Sequence, residues 1–350
     1  MIINRSNGKK FKNKDLAAKL GVSGTLVSLV LNNKADQHGI RKDTQEKVLA
    51  MARQMGFFNA PDEKEATSPV EEKPGVIGMI VPSMSDPFIT GITPYLQIAF
   101  ASIGLGFSVI TKDPDDQRYD RLTNAFRKFF SGLVLVGDAA DDSTIRTLRS
   151  AEYPFILLEK SVKTLRLSTV TTDLSSGARL IAEHLAKLGY KNIIIATDRK
   201  SFKTDANTLN EIENALGKIE SINTPAIIDI DIKGTRDDID FSDLEKLLRP
   251  PFRADVIIAL HASFVYPLMS FIRKRKLRVP QDVAIISMEE GTGFDLMLSP
   301  ITCLRKPLPG MAIKVANMIW SEVKNSGKSK FKRQVNLTPE LIVRNSCGTL

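Results

Sequence analysis

The chain has 350 residues, enough for more than one domain, and its hydrophobic content of 43% is sufficient for packed cores. It has no apolar stretch long enough to span a membrane, and its N-terminus lacks the apolar segment of a signal peptide. Two cysteines, Cys303 and Cys347, exclude a disulfide framework and favour a reducing, cytoplasmic location.

The net charge of +9 is concentrated at the N-terminus. Residues 1–60 contain eleven Lys or Arg side chains and four Asp or Glu side chains, a surplus of seven positive charges. The other 290 residues carry a surplus of only two. This distribution is typical of a nucleic-acid-binding head on a nearly neutral body.

Two short helices separated by a tight turn are predicted in the basic segment. Leu16 and Leu20 lie on the apolar face of the first helix, and Gly21 can adopt the positive φ that ends it. Ser23 is placed to cap the second helix, on which small polar side chains can enter a major groove. This pattern is typical of a helix-turn-helix. The predicted DNA-binding residues are Lys12, Lys14, Ser23, Gly24, Thr25, Ser28, Asn32, Asn33 and Lys34.

A third helix is predicted to begin near Asp43, which has capping-box spacing with Glu46, and to end at Gly56. Residues 61–74 contain three prolines and carry five acidic against two basic side chains, so they are interpreted as a linker. We therefore expect a DNA-binding domain at 1–60, the linker at 61–74 and a body at 75–346.

In the body, apolar runs alternate with amphipathic segments in two successive series. Strands are predicted at 76–81, 107–111, 133–136 and 155–158, and again at 192–196, 226–232, 256–259 and 283–287. Helices are predicted at about 87–103, 115–129, 141–151, 174–188, 205–219, 240–249 and 262–276. The fold class is therefore α/β, with an all-α head and two doubly wound parallel-sheet lobes. A last strand at 301–304 and a helix at 307–323 are predicted to return to the first lobe.

The head and the body resemble the LacI/GalR (lactose-repressor) family of bacterial transcription regulators. The resemblance is carried by the strings Asp15–Ala17, Leu20–Ser23, Leu26–Ser28 and Val30–Asn32, and by Val170–Asp173 with Gly177. It implies a periplasmic-binding-protein-like body in which the chain crosses between the lobes three times, near 171, 300 and 336. Lobe one would then comprise 75–171 and 301–335, and lobe two 172–300 and 336–346.

Ligands of open α/β sheets bind beyond the carboxyl ends of the strands, and in two lobes these ends face one cleft. Together with the resemblance, this rule implies a small-molecule effector site. The candidate effector-binding residues are Asp86, Phe88, Lys160, Asp173, His261 and Glu289. Structural roles are open for several of them: Asp173 has the position of a helix cap, and Phe88 can belong to the core.

The sequence departs from the family pattern at this site. The usual Asp-Arg pair is Glu159-Lys160, an arginine is replaced at about Thr208, and the usual Asn-Asp pair falls on Leu260-His261. Because lysine cannot reproduce the fork of arginine, an unmodified hexose held by the usual contacts is not expected. The cleft suits a ligand with fewer vicinal hydroxyls or with a cationic group. A site without an effector and a sugar bound through other residues stay open as alternatives.

The family's hinge helix is not recognisable in residues 57–65, and the acidic linker is not expected to enter a minor groove. The sequence predicts a homodimeric, sequence-specific transcription regulator that binds a pseudo-palindromic DNA operator. A solute-binding protein and a sugar-acting enzyme are the alternatives with the same body fold. The sequence has no nucleophile elbow, phosphate-binding glycine loop or metal-ligand spacing among its histidines, so no catalytic residue, metal or cofactor is predicted.

Overall fold

The computed structural model describes residues 13–31, 35, 38–54, 75–112, 125–162, 164–198, 205–231, 239–328 and 332–348. The linker at 61–74 lies outside the described residues, as does most of the helix predicted at 115–129. Four of the predicted DNA-binding residues also lie outside them, namely Lys12, Asn32, Asn33 and Lys34.

The described part of the head consists of α1 (Asn13–Leu20), α2 (Gly24–Leu31) and α3 (Lys42–Gln54). Between α1 and α2, Gly21 has a φ of 67°, which an L side chain would strain. The Ser23 hydroxyl accepts a hydrogen bond from the Leu26 N–H at 3.1 Å and so caps α2, as the sequence predicts. Leu16 and Val27 are buried between the helices and fix their crossing.

The third helix begins one residue earlier than predicted. The N–H groups of Thr44 and Gln45 both bond to the Arg41 carbonyl, so the first helical residue is Lys42. Asp43 therefore lies inside the first turn, and its predicted capping role is wrong.

The described strands of the body are β1 (Val76–Val81), β2 (Gly106–Thr111), β3 (Gly132–Val136), β4 (Phe155–Leu158), β5 (Thr169–Thr172), β6 (Ile193–Thr197), β7 (Ala226–Asp229), β8 (Val256–Ala259), β9 (Ala284–Ser287), β10 (Thr302–Arg305), β11 (Gln334–Leu337) and β12 (Glu340–Ile342). The described helices are α4 (Pro87–Ala101), α5 (Asp142–Ser150), α6 (Leu174–Lys187), α7 (Asp205–Leu216), α8 (Ser242–Leu247), α9 (Ala262–Lys274) and α10 (Leu308–Lys324).

These strands form two six-stranded sheets, one in each lobe. The strand order is β2-β1-β3-β4-β5-β11 in lobe one and β7-β6-β8-β9-β10-β12 in lobe two. Neighbouring strands pair in parallel except β10 and β12, which are antiparallel. Along β1, Met79 packs in a cluster with α4 and α10, whereas Ile80 packs in another with α5, so helices cover both faces. The predicted fold class, two doubly wound lobes with a helical head, is confirmed.

The predicted return of residues 301–304 to lobe one is wrong. Thr302 and Cys303 pair with Ile286 and Ser287 of β9, so β10 belongs to the sheet of lobe two. The chain reaches lobe one only after Arg305, where α10 packs against α4. The chain therefore crosses between the lobes at three places: after β5, after β10, and between β11 and β12.

Among the described residues, no helix combines the length and the apolar composition needed to cross a bilayer.

A nearly buried lysine holds the start of α5. Lys112 follows β2, and its ammonium donates to the Asp141 carboxylate and to the Thr144 hydroxyl, the latter at 2.7 Å. Asp141 also caps α5 by accepting a hydrogen bond from the Thr144 N–H at 2.7 Å. Burial opposes the charge of Asp141, but the bonds from Lys112 and Thr144 lower its pKa to about 2.

We predict that Asp141→Asn, which keeps a capping side chain, changes how the melting temperature depends on pH. An aspartate in the unfolded chain has a pKa of about 3.9. The ionised Asp141 therefore contributes stability above that pH, and the contribution is lost as the pH falls through about 2. The melting temperature of the native protein should exceed that of the variant most at neutral pH, and the difference should shrink below about pH 4.

Thermal unfolding at pH 7, 4 and 3 measures this difference. Asp142→Asn, one residue along at an exposed position, is the matched control and should show a small difference. If the difference in melting temperature between the native protein and Asp141→Asn is constant over this pH range, the low pKa and the stabilising charge of Asp141 are contradicted.

Candidate functional site

The described DNA-binding candidates lie on the outer surface of the head. Val27 and Val30 face the core, which leaves Gly24 and Thr25 exposed and Ser28 half-buried on the other side of α2. A Cβ added at Gly24 would meet no atom within 4 Å, so the start of α2 is sterically open. Lys14 of α1 is also exposed. This small, polar helix face is able to enter a major groove.

In the body, carboxylates from both lobes meet at one lysine. Lys306 lies between β10 and α10, where the chain leaves lobe two for lobe one. Its Nζ donates to Glu159 Oε2 at 2.7 Å and to Glu289 Oε1 at 3.3 Å. Glu159 follows β4 in lobe one, and Glu289 follows β9 in lobe two. The two ion pairs therefore join the lobes.

Glu159 is held in place from lobe one. Its carboxylate accepts hydrogen bonds from the Thr172 N–H at 2.6 Å and from the Thr172 hydroxyl at 3.0 Å. Its backbone has a φ of 54°, in the left-handed region that a non-glycine residue adopts only at a cost. Because such strain persists only where neighbours fix the geometry, the position of this carboxylate is well defined.

Glu289 is held in place from lobe two. Its Oε2 atom lies 3.0 Å from Nδ1 of His261 and 3.4 Å from the N–H of Ala262, at the start of α9. The N-terminus of a helix stabilises a negative charge at this place. His261 also contacts the edge of Phe264, with the ring centroids 5.6 Å apart.

The charges of this cluster stabilise one another. Burial opposes the charge of Glu289, but His261 and Lys306 hold the pKa of its carboxyl well below the usual range. Burial also opposes the charge of Lys306, but Glu159 and Glu289 raise the pKa of its ammonium above the usual value. Only 16% of the Lys306 side chain and 15% of the Glu159 side chain are exposed, so water screens these pairs weakly.

Asp86 and Phe88 complete this side of the cleft. Asp86 caps α4, since its Oδ1 accepts a hydrogen bond from the Phe88 N–H at 2.8 Å. The Lys306 ammonium lies 4.5 Å from the centroid of the Phe88 ring, a cation–π contact. Burial and the nearby charge of Glu289 raise the pKa of the Asp86 carboxyl, against the opposing effect of Lys306.

Four of the six effector candidates thus lie together, and two do not belong to this cluster. The four are Asp86, Phe88, His261 and Glu289. Lys160 lies 3.6 Å from Asp138, which follows β3 within lobe one. Asp173 caps α6 through bonds from the Ser176 N–H at 3.0 Å and hydroxyl at 2.7 Å.

Sequence reasoning alone misses Lys306 and favours Lys160 over Glu159. The available signal was the pair of cations Arg305-Lys306 at the end of an apolar strand. Its meaning depends on the sheet to which that strand belongs, and the sequence assigns β10 to the wrong lobe.

Glu289 and Glu290 are neighbours with different contacts. Glu290 accepts hydrogen bonds from Nε and a terminal nitrogen of Arg305 at 2.7 and 2.6 Å, and from Arg344 at 2.8 Å. These bonds tie the end of β9 to β10 and to the segment after β12. Glu290 therefore supports lobe two, while Glu289 bonds to the cleft groups His261 and Lys306.

We predict that Glu290→Gln lowers the free energy of unfolding by about 1–3 kcal/mol, because two arginines lose a charged acceptor. Urea denaturation measures the loss. The control is Glu183→Gln, which removes an exposed pair with Arg179 and should change stability by less than about 0.5 kcal/mol. Equal effects of the two substitutions would contradict a structural role for Glu290.

Known proteins match both the head and the body of this chain. A family profile described as a periplasmic binding protein-like domain matches residues 182–347. The HTH-type transcriptional regulator KdgR of Bacillus subtilis is 23% identical over 341 residues, which cover 95% of this chain and 96% of KdgR. The HTH-type transcriptional repressor PurR of Haemophilus influenzae is 23% identical, with 96% of this chain and 98% of PurR covered.

Solved structures show the same fold. A LacI family transcriptional regulator from Enterococcus faecium with bound ribose has a TM-score of 0.66 at 18% identity, with 79% of this chain and 99% of that chain covered. The transcriptional regulator CelR in complex with cellobiose has a TM-score of 0.65 at 20% identity, with 96% and 99% covered.

A helix-turn-helix head on a two-lobed, periplasmic-binding-protein-like body defines a DNA-binding transcription regulator. The match to such regulators extends over nearly the whole of both chains. The chain is similar to such regulators along nearly its whole length, and its body has the fold of LacI family regulators.

Proposed function

We propose that this regulator acts in the cytoplasm as a homodimer that binds a pseudo-palindromic operator, and that it has no catalytic role. A small molecule bound between the two lobes controls its affinity for DNA. The observation that carries the proposal is the interlobe cluster around Lys306, because a ligand placed there contacts both lobes at once.

DNA binding is assigned to the free face of α2. Thr25 and Gly24 are exposed there, Gly24 has open space around it, and residues 1–60 carry a surplus of seven positive charges. Positive charge supplies affinity for phosphates, and the side chains of α2 read base edges. Two heads related by a two-fold axis then match two half-sites.

The effector site is assigned to the cleft beside Asp86, Phe88, His261 and Glu289. Two structural relatives contain ribose and cellobiose, which supports a sugar or a sugar derivative as the class of ligand. Carboxylates accept hydrogen bonds from hydroxyls and pair with cations, so the site also fits a ligand with an ammonium group. Such a ligand controls DNA binding only if it binds one arrangement of the lobes better than another.

Exposed apolar side chains support the homodimer. Leu298 is fully exposed and Leu296 is 84% exposed, and the two leucines lie two residues apart between β9 and β10. Clustered exposed apolar side chains mark interaction surfaces. A second copy is the partner that satisfies them here, because two-fold symmetry also supplies the second head.

We predict that Thr25→Ala and Lys12→Ala have different effects on DNA binding. Thr25→Ala should reduce the preference for a selected operator over random DNA by about 1 kcal/mol or more, because a base contact is lost. Lys12→Ala should weaken binding to all sequences alike and reduce the salt dependence by about one phosphate contact. Selection from a random DNA pool followed by mobility-shift titration measures both effects. Equal DNA binding by a fragment that begins at Pro74 would contradict the assignment to the head.

We also predict that Leu298→Glu converts the dimer to a monomer at micromolar concentration, because a charge would be buried at the apolar contact. Light scattering measures the mass of native protein and variant. Leu298→Met conserves the apolar contact and should stay dimeric. A native protein that is monomeric both with and without operator would overturn the proposed assembly.

A further inference from the structure

We propose that Lys306 is the positioning residue of the cleft. Its side chain acts as a tethered ammonium ligand that fills a cation subsite shared by the lobes and fixes their relative position. This inference rests on the proposed function of the cleft as the effector site, but its test requires neither DNA nor an effector.

The place of Lys306 in the chain gives it access to both lobes. Its neighbour Arg305 pairs with Glu290 of lobe two, whereas Leu308 begins the helix that packs on lobe one. The Lys306 carbonyl accepts a bond from the Leu308 N–H at 2.8 Å, which fixes the backbone at the crossing. From there the ammonium contacts Glu159 of lobe one and Glu289 of lobe two.

The groups around the ammonium form a subsite for a compact cation. Two carboxylates accept its hydrogen bonds, and the face of Phe88 lies 4.5 Å away. Carboxylates and an aromatic face together favour a cation over a neutral group. The bonds from Thr172 orient Glu159 but carry no charge, so among the described residues that bond to Glu159 only Lys306 neutralises it.

This arrangement restricts what binds in the cleft. A ligand that stacks on the same face of Phe88 meets the Lys306 ammonium there. If that ligand displaces the ammonium, Glu159 loses its counter-ion and Glu289 keeps only His261 and the Ala262 N–H, which is costly unless a new cation replaces Lys306. An effector at this face therefore either carries an ammonium group of its own or binds beside Lys306 and leaves it in place.

The test is chemical rescue of Lys306→Ala by n-propylammonium, the fragment that the substitution removes. We expect the variant to melt at a lower temperature than the native protein. Millimolar n-propylammonium chloride should raise the melting temperature of the variant, and this increase should saturate. The increase should be at least roughly threefold larger than the increase that the same concentration causes in the native protein. If the variant is recovered only unfolded, the same comparison is made on its refolding yield with and without n-propylammonium.

Four comparisons separate the subsite from general effects. 1-Propanol has a similar shape without the charge and should not rescue, and sodium chloride at equal ionic strength should not rescue either. Lys328→Ala removes an exposed pair with Glu152 and should show no response to n-propylammonium. Adding Glu289→Gln to Lys306→Ala should weaken the rescue.

Rescue by 1-propanol to the same extent would mean that the substitution opens only an apolar cavity, and would overturn the proposal. The absence of any rescue would also overturn it. Neither result affects the proposed function, which fails instead if the full chain selects no DNA sequence.

Discussion

One ammonium group between the carboxylates of two lobes is the interaction on which the arrangement of the body depends. Glu159 and Glu289 each follow a buried strand, and each is held in place by its own lobe. Weakly exposed charges of like sign must be compensated, and Lys306 compensates both. The lobes therefore cannot separate at this point without leaving charge uncompensated. The charges that would contact a ligand in the cleft are thus also the charges that set the relative position of the lobes.

The proposed control of DNA binding depends on this connection. The chain crosses between the lobes three times, so the relative motion open to the lobes is a hinge or twist about the crossings. Lys306 lies in one crossing, and Glu159 lies beside the strand that precedes another. An effector that changes these ion pairs has a different affinity for the two arrangements of the lobes, which is the thermodynamic requirement for control at a distance.

Much of the fold was predictable because long apolar runs indicate buried strands. β1 and β4 have the predicted ends, whereas β5 is missed because its Thr169–Thr172 segment is rich in hydroxyl side chains. Apolar character shows that β10 is buried but not which sheet contains it. Asp86, His261 and Glu289 were predictable because they follow strands. Lys306 was not, since its partner Glu159 is 147 residues away in sequence and its role exists only after both lobes have folded.

The most direct test of this account is a pair of double-mutant cycles on the free energy of unfolding. One cycle combines Lys306→Met with Glu159→Gln, and the other combines Lys306→Met with Glu289→Gln. Residues in one ion-pair network couple by about 0.5–3 kcal/mol, and distant residues add within about 0.5 kcal/mol. If Lys306 joins the lobes, both cycles will show coupling in the first range. Additive effects in either cycle would show that the lysine belongs to one lobe only and would contradict the account.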